Sequence, residues 1–292
     1  MDVVLYYFIT YSFLGWITET IFATCKNKHF VNRGFLYGPF CPIYGFGAIL
    51  VIVPLESFKA ILPTNFFLYF ITIIIYAAIF TSLLEYITGY LLEILFHTTW
   101  WDYSKNKFNI KGRICLLFSI FWGLGAFIIW EYIHPTIAYL IHSIPINLKN
   151  PILYIIILYF IIDITLTVRS LINLHIVLNE MYKLTLDLKN ELKENISDIK
   201  NEVSQKSKEI TNKLESKEKI TPEKLMENIT NLIDNVHLEL KNKQIINRFT
   251  ELSDLIQKQY SRFFRAFPNI KSTKFNISLN HIKTKLKNKN NQ

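Results

Sequence analysis

Cysteine is scarce and scattered in this chain. Cys25, Cys41 and Cys115 show no metal-ligand spacing and make no obvious disulfide framework. No Gly-rich Walker-type phosphate loop occurs, so any ATP hydrolysis must come from a separate chain. The first residues carry no basic n-region and no small-residue cleavage site, so no removable signal peptide is expected. No nucleophile–base pair stands out, and no catalytic activity or cofactor is expected of the chain itself. His97, His134 and His142 lack zinc spacing and read as interfacial residues. Glycine and proline are few, nine each in 292 residues. Yet four glycines and two prolines crowd into 34–47.

What is abundant is apolar. Hydrophobic residues make up 51% of the chain, beside a formal charge of +9. The long apolar runs lie before about residue 177, and Lys, Glu, Asn and Asp dominate afterwards. This segregation predicts an all-α, polytopic membrane domain over 1–177 and a water-exposed helical tail over 178–292. About five transmembrane helices are expected, near 3–24, 37–55, 65–96, 113–130 and 152–174. Lys26, Lys28 and Arg33 in the first loop, and Lys105, Lys107 and Lys111 in the third, place those loops inside. The N-terminus is then outside, the tail is cytoplasmic, and the location is the cell membrane.

A short internal likeness runs through the membrane region. Ser12-Phe13-Leu14-Gly15-Trp16-Ile17-Thr18-Glu19 matches Ser82-Leu83-Leu84-Glu85-Tyr86-Ile87-Thr88-Gly89. Tyr44-Gly45-Phe46-Gly47-Ala48 matches Trp122-Gly123-Leu124-Gly125-Ala126. A duplicated helical hairpin, parallel about the membrane normal, accounts for the order of the matches. Coincidence in a small apolar alphabet is the alternative.

Charges inside spans mark candidate sites, because a carboxylate at the bilayer centre costs roughly 2.5–3.5 kcal/mol. Glu19, Glu85, Glu93 and Asp163 are such residues, with Arg33 and Arg113 as partners. Glu85, Gly89 and Glu93 share one helical face. Glu93–Arg113 reads as a structural ion pair, Glu85 as a functional acid and Asp163 as isolated. The second span is expected to start near Gly38-Pro39, with its free N–H groups beside Arg33 as an anion site held at rest by Glu19 or Glu93. The candidate substrate path is therefore Glu19, Arg33, Gly38, Pro39, Tyr44, Gly45, Glu85, Gly89, Glu93 and Arg113. Helix packing through small residues is the competing reading of the glycines. Trp100-Trp101-Asp102-Tyr103-Ser104 reads first as an interfacial aromatic belt, and secondly as a gate over the polar cluster.

In the tail, Leu192, Ile196, Ile199, Val203 and Ile210 fit a heptad seam, and Leu225, Ile229, Leu232, Val236 and Leu240 a second stripe. A coiled coil that pairs subunits is one reading, a solvated helix the other. Acidic residues stop at Asp254, and nine basic residues follow. Arg262, Phe263, Phe264, Arg265, Phe267 and Lys271 then suggest an anchor on anionic inner-leaflet lipid. Nucleic-acid binding uses the same ingredients, but a membrane-tethered chain meets lipid first, and no nucleic-acid partner is expected.

Several motifs resemble one family. They are Tyr11-Ser12-x-x-Gly15-Trp16-x-x-Glu19, Asn32-Arg33-Gly34-Phe35-Leu36-Tyr37-Gly38-Pro39 and Cys41-Pro42-Ile43-Tyr44-Gly45. Glu85-x-x-Thr88-Gly89-x-x-Leu92-Glu93, the Trp100–Ser104 run, Asn109-x-x-Gly112-Arg113-Ile114-Cys115-Leu116 and Ser119-x-x-Trp122-Gly123 follow in order. Together they resemble the putative ABC-transporter permease family, its type IV or CmpB-like group, over roughly 1–150. Arg265-Ala266-Phe267-Pro268-Asn269-Ile270-Lys271-Ser272 is similar to the C-terminal end of some members. The resemblance implies an integral membrane component of a transport system, whose ATPase, if any, is a separate chain, and it supplies no substrate. A non-transporting scaffold or sensor, whose tail recruits a partner or binds lipid, is the alternative. A membrane enzyme using Cys41 or Glu85 is a third and weaker one.

Overall fold

A computed structural model of the chain describes residues 2–215, 243–268, 270–272, 274–275, 279 and 282–283. These residues are mostly helical. The order is α1 (Asp2–Asn27), α2 (Pro42–Ser57), a 3-10 turn (Lys59–Ile61) and α3 (Phe66–Phe96). Then come β1 (Thr98–Thr99), β2 (Asn109–Ile110), β3 (Ile114–Cys115), α4 (Leu116–Ile128), a π turn (Ile129–Ile133) and α5 (His134–His142). The last elements are α6 (Ile146–Glu215), α7 (Lys243–Ala266) and β4 (Lys271–Ser272).

Local chemistry sets the helix ends. Asn65 caps α3, its side chain accepting from the N–H of Phe67 at 3.0 Å and of Leu68 at 3.1 Å. α3 stops where His97 turns left-handed, at φ 50°. α2 begins at Pro42, not at Gly38-Pro39. Both prolines satisfy the rule that proline favours a first helical turn. The choice falls on Pro42 because the Cys41 N–H is taken by the Ser12 carbonyl of α1 at 2.9 Å, which fixes Cys41 as the cap. Pro135, early in α5, lacks an N–H and crowds the carbonyl four residues back, and the helix widens there into the π turn.

Among the described residues three helices are long and apolar enough to cross a membrane: Phe66–Phe96, Leu116–His142 and Ile146–Asn190. α2 is apolar but has only 16 residues, and α1 carries Asp2, Glu19 and Lys26. The chain divides into two compact units, Met1–Ile176 with Gln259–Gln292, and Val177–Lys258. In the first unit α1 packs on α2, α2 on α3 and α3 on α4. Tyr7, Leu36, Ile52, Ile73, Ala77, Phe127 and Phe160 belong to its core. Two glycines let neighbouring helix backbones approach most closely. A Cβ on Gly45 would come within 2.5 Å of the Phe8 carbonyl, and one on Gly123 within 2.7 Å of the Ile74 carbonyl.

Within Gln259–Gln292, Phe263, Phe275, Leu279 and Ile282 are almost fully buried. β4 pairs antiparallel with β1, Thr98 opposite Ser272 and Thr99 opposite Lys271. β2 pairs with β3 across the third loop. In the second unit Arg248 of α7 reaches Glu180 of α6 at 2.9 Å. On the expected heptad seam Val203 is exposed, and the side chains of Leu192, Ile196, Ile199 and Ile210 lie outside the described residues. The stripe from Leu225 to Leu240 and Lys285, Lys287 and Lys289 also lie outside them.

Candidate functional site

The first cluster forms where α1 meets α2. Ser12, Gly15 and Glu19 line one stripe of α1, and Gly15 leaves room for the Tyr44 ring, which a Cβ there would overlap. The Tyr44 hydroxyl donates to Glu19 Oε1 at 2.7 Å, and Arg33 Nε lies 3.3 Å from Glu19 Oε2. The loop that carries Arg33 is folded onto α1 by Asn32. Its Oδ1 accepts from the Trp16 indole at 2.8 Å and from the Gly34 N–H at 3.0 Å, and its Nδ2 donates to the Tyr37 carbonyl at 3.1 Å.

The Gly38-Pro39 turn beside it is held from two sides. Asp163 of α6 accepts the Tyr37 N–H at 2.9 Å and the Gly38 N–H at 2.8 Å. A Cβ on Gly38 would sit 2.7 Å from Asp163 Oδ2, so the carboxylate can approach only a glycine here. Arg262 of α7 donates to the carbonyls of Gly34 and Leu36, with its guanidinium 4.6 Å over the Tyr37 ring. Burial pushes the Arg262 guanidinium below its usual value. The resting occupant of these N–H groups is thus Asp163 and not Glu19 or Glu93, which pair with Arg33 and Arg113.

The second cluster forms where α3 meets the third loop and α4. Glu85 is 7% exposed and accepts from the Tyr103 hydroxyl at 3.0 Å. Burial, then the adjacent Glu85, hold the Tyr103 phenol well above its usual value, so it remains a donor. Glu93 takes two N–H groups of Arg113, at 2.5 and 3.1 Å. The guanidinium also lies about 5 Å over the rings of Tyr86 and Tyr90. Gly89 faces the Trp101 ring and the Arg113 stem. Trp101 donates to the Arg113 carbonyl at 2.8 Å.

The Trp100–Ser104 run is therefore not an exposed aromatic belt. Trp100 is 5% exposed, against Phe35 and Phe267, and Tyr103 covers Glu85. Asp102 takes the Lys271 ammonium and the Ser104 N–H, and these bonds hold its carboxyl down to about 2. The two clusters meet at an edge-to-face contact of Tyr44 with Trp122, 5.6 Å between centroids. Gly45, by contrast, packs on α1 and contributes no polar group.

The rings named as lipid contacts face protein. Phe263 and Phe264 are buried, Phe263 against Tyr37, and Phe267 packs on Trp100. Arg265 is exposed, as is Lys271, which pairs with Asp102. His134 is also buried, not interfacial, between Tyr11 and Glu56. The sequence reading had Asp163 as an isolated acid, Tyr103 inside a run read as a belt or a gate, and Arg262 as a lipid contact, and it gave Trp122 no part in the site. Trp122 had a signal, its alignment with Tyr44.

The sequence profile of the family described as "Putative ABC-transporter type IV" matches residues 6–168, more than half of the chain. The chain belongs to this family. The matched ABC-transporter region contains both clusters and Asp163, while Arg262 and β4 lie beyond it. No curated protein and no solved structure matches the chain.

Proposed function

We propose that this chain is the membrane-embedded subunit of a transport system whose ATPase is a separate polypeptide. In this reading five segments cross the bilayer, with the N-terminus outside and the basic first and third loops and the tail in the cytoplasm. α1–α2 and α3–α4 act as a duplicated hairpin. Gly45 against Phe8 and Gly123 against Ala78 are equivalent contacts under the sequence matches above. The substrate path runs between the hairpins, lined by Glu19, Arg33, Tyr44 and Glu85. Gly89, Glu93 and Arg113 close it on one side and the Gly38-Pro39 turn on the other. Both faces carry a carboxylate, and Arg33 offers a guanidinium at the rim for an anionic group.

One observation carries the reading. The series Arg33, Glu19, Tyr44, Trp122, Glu85, Tyr103 runs from hairpin to hairpin between apolar helices, with the Trp122 indole beside the Glu85 carboxyl. Intramembrane acids that face one another through aromatic rings are characteristic of substrate and ion paths rather than of lipid-facing surfaces. The test is affinity purification from native membranes, followed by ATP hydrolysis in proteoliposomes. A co-purifying ATPase, with hydrolysis reduced by Glu85→Gln at unchanged abundance, supports the reading. A preparation free of any ATPase, with no nucleotide hydrolysis, overturns it.

The length of α6 favours a second reading. Its 70 residues are more than three times the roughly 20 that a span needs. A scaffold that presents this helix to a cytoplasmic partner, or to a second copy of itself, would use that surplus. Contact with anionic lipid would rest on exposed cations such as Lys258 and Arg265, because the neighbouring rings are buried.

A further inference from the structure

Away from both clusters, three helices bring a tyrosine, a histidine and a glutamate together. Tyr11 of α1 is 3% exposed and His134 of α5 is 5% exposed. The Tyr11 hydroxyl lies 3.0 Å from His134 Nδ1, and His134 Nε2 lies 3.0 Å from Glu56 Oε1 at the end of α2. The Glu56 side chain is 41% exposed, so the buried imidazole touches a group at the protein surface. Tyr7 donates to the same Glu56 oxygen at 3.2 Å and sets its ring edge on the imidazole. Trp130 stacks on the other face, 5.6 Å between centroids at 12°. Its indole is fixed by donation to the Tyr69 hydroxyl at 2.8 Å, and that hydroxyl donates to Glu131. Trp130 and Glu131 belong to the π turn, a feature often found at functional sites.

The contact geometry admits two protonation states of the ring. A carboxylate only accepts, so His134 Nε2 carries the hydrogen shared with Glu56. Nδ1 of the neutral ring then accepts from Tyr11. We propose that His134 is a proton-binding site gated by Tyr11 and Glu56. One proton from water adds to the Nδ1 lone pair, the Tyr11 hydroxyl turns so that its oxygen accepts, and the imidazolium is balanced by Glu56. No covalent bond other than N–H forms, and none breaks. The groups facing the ring are Tyr7 and Tyr11 from α1 and Glu56 from α2, with Tyr69 and Glu131 beyond Trp130. Proton occupancy would thus set the bond that joins α1 to α5, whether or not the chain transports anything.

Trp130 supplies the readout, because an imidazolium stacked on an indole quenches its emission. The full-length protein in lipid nanodiscs is titrated from about pH 4.5 to 9, the range in which histidine ordinarily changes charge. A one-proton loss of emission on acidification is expected. His134→Gln and Trp130→Phe abolish it. Glu56→Gln, which removes the carboxylate that balances the imidazolium, moves the step to lower pH or removes it. A flat wild-type titration overturns the proposal even if His134→Gln does not fold. So does a step that persists unchanged in Trp130→Phe, or one that Glu56→Gln leaves in place.

Discussion

Asp163→Asn tests whether the Gly38-Pro39 turn is held by charge. The aspartate accepts two backbone N–H groups, at 2.9 and 2.8 Å, and is 5% exposed. Hydrogen bonds to a charged group contribute roughly 1.5–3 kcal/mol each, and neutral ones about 1. Asparagine keeps one oxygen for one of these donors. Its amide nitrogen then faces the other donor, which keeps at best the longer contact of the Tyr37 N–H to the Thr167 hydroxyl at 3.3 Å, at a cost of about 1–3 kcal/mol. The expected loss is about 2–5 kcal/mol. For a domain of this size that lowers the midpoint of thermal unfolding by roughly 4–20 °C. The assay is heat-induced loss of the monodisperse peak of the purified full-length protein. Thr167→Val is the control. Its hydroxyl is a second, longer acceptor for the same Tyr37 N–H at 3.3 Å, so the loss should stay within about 1 kcal/mol. If Asp163→Asn is no less stable than Thr167→Val, the turn is not held by an ionised carboxylate, and the clamp is only a packing contact.

Other outcomes follow from the same geometry. Gly123→Ala should lower membrane abundance sharply, because its Cβ would meet the Ile74 carbonyl, whereas Gly125→Ala, with open space around it, should be neutral on immunoblots. Arg33→Lys keeps the charge but loses the planar geometry, so it should abolish function at normal abundance if Arg33 serves substrate. A functional Arg33→Lys leaves that residue only its ion pair with Glu19. The carboxyl of Asp102 is depressed on folding, so its contribution is complete above an unfolded value near 4 and is lost as pH falls towards about 2. Protease protection of the C-terminal segment should weaken over that window, and Asp102→Asn should remove the dependence.

The helices, the crowded glycines and the Glu93–Arg113 pair were legible because periodicity, composition and a short loop determine them. The rest depended on contacts far apart in the chain. Asp163 looked isolated because its partners are N–H groups of Tyr37 and Gly38, which no side-chain pattern announces. The segment with Arg262, Phe263 and Phe267 read as lipid-binding because cations interleaved with rings suit a membrane surface and a protein groove equally. The structure chooses the groove, where Phe263 meets Trp100 edge to face and Arg262 donates to two carbonyls. The start of α2 was ambiguous for a simpler reason: two prolines three residues apart both suit a first turn, and only the bond to Ser12 on α1 separates them.

The exchange of acid and glycine between the hairpins gives the proposed path its asymmetry. In the first, glycine stands at 15 and the acid one turn later at 19. Tyr44 fills the space over Gly15 and reaches Glu19 with its hydroxyl. In the second, the acid stands at 85 and the glycine at 89. Trp101 and the Arg113 stem fill the space over Gly89, and Glu85 is left to a tyrosine from the loop, Tyr103. The first acid is therefore neutralised by a cation, Arg33, and the second is not. Glu85 has only neutral donors beside it, the Tyr103 hydroxyl and the Trp122 indole. In the proposed duplicated frame one acid faces a cation and the other does not, so Glu85 would be the end of the path at which a donor group of the substrate is taken up.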